Sequence, residues 1–165
     1  VRFTQSWGLD PAAAVAALAA LLALGTRAQL RPWRDRIALL AHSAAVAPGS
    51  ALVEYDLGSD LARAGRLAEA ELHLRVALAV QETALAHTQL GNVLARERRP
   101  QEARQEYEQA VGLAPGDVEA LLDLARAYEA EGRFRDARRA YERVLEVAPP
   151  SLDGVRRQVA ALLGR

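Results

Sequence analysis

The chain has 165 residues, 51 % of them apolar and 25 % charged, which is the size of one domain or a short repeat array and excludes a disordered composition. Its 21 basic residues, all Arg, balance 21 acidic ones, so the uniform positive field that nucleic-acid backbones attract is missing and nucleic acid is an unlikely partner. The absence of cysteine excludes disulfides, thiolate metal sites and a cysteine nucleophile.

Ala occurs 36 times, Leu 26 times and Ile once, a mixture that favours helix over strand. Asp10-Pro11 opens the first predicted helix, a capping carboxylate followed by a proline where no donor is needed. Residues 12–25 follow, 14 in a row without a polar side chain. As a helix they span about 21 Å, against roughly 30 Å for a bilayer core. That length favours a buried helix, or the end of a spanning segment, over a complete membrane span. A second helix is predicted over 32–46, from Pro32 and Trp33 to Val46, making 1–49 an apolar helix plus a degenerate hairpin.

A repeat then takes over. Leu57-Gly58, Leu90-Gly91 and Leu124-Ala125 lie 33 and 34 residues apart. Ala70, Ala103 and Ala137 each follow 13 residues later, then Leu74, Tyr107 and Tyr141, then Ala77, Ala110 and Val144. Two apolar helical stripes per unit of this length define a helical solenoid. The predicted helices are 51–64 with 67–80, 84–96 with 100–113, and 118–130 with 134–147. Gly65 and Gly132 mark two of the turns, and Arg98-Arg99-Pro100 replaces the third. Ser50, Asp117 and Ser151 are predicted helix caps. Gly58, Gly91 and the three alanines sit where helices must approach closely. The domain layout is therefore 1–49, three repeats over 50–150, and a capping helix within 151–165, about nine helices in all. Val155, Val159, Leu162 and Leu163 share one face of that cap.

This pattern resembles the tetratricopeptide repeat. The resemblance is carried by Leu57, Gly58, Leu61, Ala70, Leu74 and Ala77; by Leu90, Gly91, Leu94, Ala103, Tyr107, Ala110 and Pro115; and by Leu124, Tyr128, Gly132, Ala137, Tyr141 and Pro149. Departures are Glu54 and Leu121 in place of the usual first-helix Trp, and Glu82 where a proline closes the unit. The resemblance implies an all-α, right-handed superhelix whose first helices line a concave groove. It implies a non-enzymatic scaffold for a protein or peptide, with no cofactor.

On that alignment the groove positions are Tyr55, Ser59 and Arg63, then Thr88, Asn92 and Arg96, then Leu122, Arg126 and Glu129. Asn92, the chain's one Asn, matches a residue that pairs with a ligand backbone in peptide-binding members. Arg63, Arg96 and Arg126 form a basic strip suited to a carboxylate, since a guanidinium offers a planar fork of donors. The full carboxylate clamp of chaperone-binding members is absent, because Tyr55 and Leu122 stand where it has polar groups. His73 and His87 lack the carboxylate spacing of a metal set and are expected at the surface or its boundary.

A second, shorter resemblance covers 24–60. There Arg31-Pro32-Trp33-Arg34-Asp35-Arg36-Ile37 precedes Tyr55-Asp56-Leu57-Gly58, similar to the junction before the repeats of multi-pass membrane glycosyltransferase-like proteins. It implies a repeat appendage of a membrane protein, with 12–49 as the partner-facing part. An Ala-rich helix also makes self-association an expectation. The lack of Lys with abundant Ala and Arg fits a GC-rich bacterial genome, which leaves the cytoplasm or the periplasmic side of a membrane as the expected location.

Overall fold

The computed structural model describes residues 36–164. Within them lie eight α-helices and no strand: α1 (Arg36–Val46), α2 (Ala51–Arg63), α3 (Leu67–Val80), α4 (Ala84–Arg96), α5 (Pro100–Leu113), α6 (Val118–Ala130), α7 (Phe134–Val147) and α8 (Asp153–Leu163). The predicted helix over 12–25 lies outside the described residues. The helix predicted over 32–46 is described only from Arg36.

Each first helix begins on an oxygen-bearing cap. Thr83 Oγ1 accepts from Ala86 N at 3.2 Å, and Asp117 Oδ1 accepts from Glu119 N at 2.9 Å and Ala120 N at 3.3 Å. Ser50 takes the same place ahead of α2. Each satisfies donors that a helix start leaves unpaired. Ser151 does not cap: α8 starts at Asp153 after a short 3₁₀ turn over Pro150–Leu152, and its cap position is Leu152.

The second helices start differently. Arg66, Arg99 and Arg133 hold their cap positions, and each pairs with the acid three residues on, Glu69, Glu102 or Asp136. The turns before them share one geometry. Gly65, Arg98 and Gly132 have φ of 81°, 63° and 72°. Arg66 N donates to Leu61 O, Arg99 N to Leu94 O and Arg133 N to Tyr128 O, each at 2.9–3.0 Å. This left-handed stop closes carbonyls that the helix end leaves open. Arg98 adopts without glycine a conformation that costs an L-residue roughly 1–2 kcal/mol.

Packing follows the small residues. A Cβ on Gly58 would sit 2.8 Å from Leu74 Cγ, and one on Gly91 2.6 Å from Tyr107 Cε1. Ala125, fully buried, takes that place in the third unit. The core runs through Leu57, Leu61 and Leu74, then Leu90, Leu94 and Tyr107, then Leu121, Tyr141 and Val144. Burying each such leucine contributes roughly 1.5–3 kcal/mol.

Each first helix packs on the second helix before it, α4 on α3, α6 on α5 and α8 on α7. Successive first helices also touch, α2 with α4 and α4 with α6, whereas successive second helices do not. The stack therefore bends with the first helices inside, and that bend makes the groove. No helix among the described residues is long and apolar enough to cross a membrane.

Candidate interaction groove

The inner face divides into an apolar and a polar half. Near the N-terminal ends of α2 and α4 lies a cleft of about 330 Å³, lined by Leu52, Tyr55, Gln81, Thr83 and Leu85 over a floor that includes Ala77. Leu52 and Leu85 are exposed there. The sequence reading named Tyr55 and missed both leucines. Their signal was available, since they lie 33 residues apart at matching places on α2 and α4.

A second cleft, about 290 Å³, lies between the second and third units and is lined by Ala95, Tyr107, Asp123 and Arg126 among others. The Tyr107 hydroxyl donates to Asn92 Oδ1 at 2.7 Å. That bond leaves the Asn92 amide nitrogen without an acceptor among the described residues. Arg126 Nη1 donates to Asp123 Oδ1 at 3.2 Å from an exposed position. Burial pushes the Asp123 carboxyl above its usual range, with Arg126 opposing the shift. Burial likewise raises the Tyr107 hydroxyl, so it stays a donor.

The remaining sequence candidates fare differently. Thr88 is corrected: it is 2 % exposed and its hydroxyl donates to Ala84 O at 3.1 Å, so no surface is left for a ligand. Its neighbours on α4 and α5 close over that position. Ser59 is half-buried, and its hydroxyl oxygen is sealed from solvent without a partner among the described residues. Arg96 Nη1 donates to Ala62 O, so it clamps the end of α2 to the next unit. Arg63 is exposed but pairs with Asp60, which also meets Arg36 Nε at 2.7 Å. Glu129 is exposed and accepts from the Tyr141 hydroxyl at 3.0 Å; burial and this bond raise that hydroxyl to about 12. Leu122 is half-buried. The three arginines thus do not form one open strip, and Arg126 is the cation placed within a cleft.

The histidines also depart from expectation. His87 is buried, with Nδ1 2.7 Å from Glu106 Oε2 and Nε2 3.4 Å from Glu82 Oε1. His73 Nδ1 lies 2.7 Å from Glu54 Oε2. No cluster of three or more metal-ligating side chains occurs among the described residues.

These features define a helical-hairpin solenoid with an inward-facing groove. Two tetratricopeptide repeat families match the chain, one over residues 55–118 and the other over 94–164. Residues 55–164 thus belong to the tetratricopeptide repeat family. The crystal structure of MamA is similar to this chain with a TM-score of 0.66 at 18 % identity, over 78 % of this chain and 82 % of MamA. The second repeat domain of Spaghetti (RPAP3), solved with the HSP90 peptide SRMEEVD, is similar with a TM-score of 0.57 at 21 % identity, over 59 % and 91 %. The first such domain of RPAP3, bound to the same peptide, gives 0.60 at 22 % identity over 70 % and 94 %. No curated protein matches in sequence, so the likeness to the membrane glycosyltransferase junction rests on 24–60 alone.

Proposed function

We propose that this chain is a non-enzymatic scaffold that holds a segment of another protein in the groove of α2, α4 and α6. The carrying observation is the pairing of the two clefts on one face. A bulky apolar side chain fits between Leu52, Tyr55 and Leu85. The backbone beyond it meets the Asn92 amide, which Tyr107 holds in place. A carboxylate further on pairs with Arg126, and Glu129 and Arg63 flank the path. Directional donors and an apolar anchor together give register and affinity, the combination by which peptide-binding surfaces discriminate. The peptides bound by the RPAP3 repeat domains support a peptide or protein partner here.

The test is capture of partners from the native source on the parent chain and on Leu85→Asp, Asn92→Ala and Arg126→Ala, each verified as folded by circular dichroism. The reading expects at least one protein retained by the parent and reduced about tenfold by each variant. Retention indifferent to all three substitutions would overturn the groove assignment.

A further inference from the structure

The last hairpin carries an unfilled junction. At each internal junction a charged residue of the second helix reaches the inter-helix turn of the next unit. Glu71 Oε1 on α3 accepts from Arg99 Nη1 at 2.8 Å. Thirty-three residues later, Arg104 Nε on α5 donates to Glu131 Oε1 at 3.0 Å. Thirty-four residues after that stands Arg138 on α7. Its guanidinium is 65 % exposed and pairs only with Glu142 on its own helix.

The apolar side of the junction is open too. Leu61, Leu94 and Leu162 hold matching places on first helices, and they are 2 %, 1 % and 40 % exposed. Leu162 is uncovered because α8 packs on α7 as a first helix does but is followed by no second helix among the described residues. Arg156 fixes α8 in that place through bonds to Leu145 O and Ala148 O. Between α7 and the end of α8 lies a cavity of about 410 Å³, lined by Phe134, Arg138, Tyr141, Leu162 and Leu163, with Glu129 at its side. Phe134 is exposed at its mouth.

We infer that this cavity docks an amphipathic helix of a protein partner, entered through a turn that presents a carboxylate to Arg138. The helix lays its apolar face on Phe134, Leu162 and Leu163 and stands as the second helix of a fourth hairpin. The two internal junctions supply the chemistry: a cation at this place on the second helix meets a carboxylate in the next turn, as Arg104 meets Glu131. This surface is separate from the groove.

A peptide of residues 129–147 of this chain is the probe, because it carries Glu131, its turn and a second helix. Titrated into isotope-labelled protein, it should move the resonances of Phe134, Arg138, Leu162 and Leu163 and leave those of Asn92 and Arg126 in place. A Glu131→Arg peptide should bind about fivefold more weakly, and Arg138→Glu in the protein should invert that preference. Arg138 is exposed, so the substitution leaves the fold intact. As a second measurement, residues 129–147 joined by a flexible linker beyond Arg165 act at an effective concentration on the order of millimolar and should protect Leu162 from solvent. Three results overturn the inference: equal affinity of both peptides for both proteins, shifts in the groove instead of the cavity, or no protection of Leu162 by the tethered helix. Concentration-dependent shifts at Phe134 and Leu162 without peptide would give the cavity to a second copy of the chain, and also overturn it.

Discussion

Exchanging the members of one buried pair separates the worth of the pair from the worth of its place. Glu54 on α2 and His73 on α3 stand 2.7 Å apart. Thirty-three residues on, His87 on α4 and Glu106 on α5 repeat the contact at 2.7 Å with the identities reversed. His87→Glu alone sets a carboxylate against Glu106 where the two side chains are 11 % and 25 % exposed. The lost charged hydrogen bond and the uncompensated acid together cost about 3 kcal/mol. Glu106→His alone removes the acceptor and costs about 1.5 kcal/mol. The double exchange rebuilds the arrangement of the first unit. One difference remains: Glu82 lies 3.4 Å from His87 and is largely exposed, whereas its counterpart in the first unit is Gly49. Repulsion there is screened to a few tenths of a kcal/mol. The double variant is therefore expected within about 0.5 kcal/mol of the parent, with a coupling of about 3–4 kcal/mol. Urea unfolding at pH 7, followed by far-ultraviolet circular dichroism and fitted with a common slope, measures all four proteins. Losses that simply add would refute the reasoning.

Three further outcomes are expected. Gly91→Ala forces the Tyr107 ring away from its bond to Asn92 and costs about 2 kcal/mol, whereas Gly112→Ala, with open space around it, gains about 0.5–1 kcal/mol by helix propensity; urea midpoints of the two variants should move in opposite directions. Arg98→Gly removes the only positive φ held by a non-glycine residue among those described and should gain about 1 kcal/mol, read by thermal unfolding; a loss would mean the Arg98 side chain matters more than its backbone. Asp123 has a raised folded pKa, so its proton is held more tightly in the folded chain. Its cost is absent below the ordinary carboxylate pKa, grows as pH rises through the folded pKa, and is fully present at pH 7. Asp123→Asn should therefore raise Tm by about 2 °C at pH 7, and the gain should shrink as pH falls through that window. An equal gain at all pH values would point to packing instead of charge.

The backbone was more legible than the side-chain partnerships. Thirty-three- and 34-residue spacings located α2 to α7 because local signals coincide there: caps at Thr83 and Asp117, left-handed stops at Gly65 and Gly132, small residues at Gly58 and Gly91. Each acts within a turn or two of chain, and sequence displays it directly. Thr88 and Arg96 read as groove residues because they fall on the inward stripe of a helix. Their fate was decided by neighbours: Thr88 is covered, and Arg96 finds the free carbonyl of Ala62 on the preceding unit. The burial of His87 was hidden for a like reason, since the position more often holds an aromatic or aliphatic side chain and a histidine there reads as surface. Comparing units at the repeat offset would have exposed it, because Glu54 maps to His87 and His73 to Glu106.

The reversal of these pairs, and of Glu71–Arg99 against Arg104–Glu131, bears on how the chain assembles in the right order. Near-identical hairpins invite exchange, in which a first helix closes on the second helix of the wrong unit. Here α2 closing on α5 would bring Glu54 onto Glu106, and α4 closing on α3 would bring His87 onto His73. Each unit thus accepts its own sequence neighbour and repels the next one along. The polarity of the pairs acts as an address, and it is spent during folding, before any partner arrives.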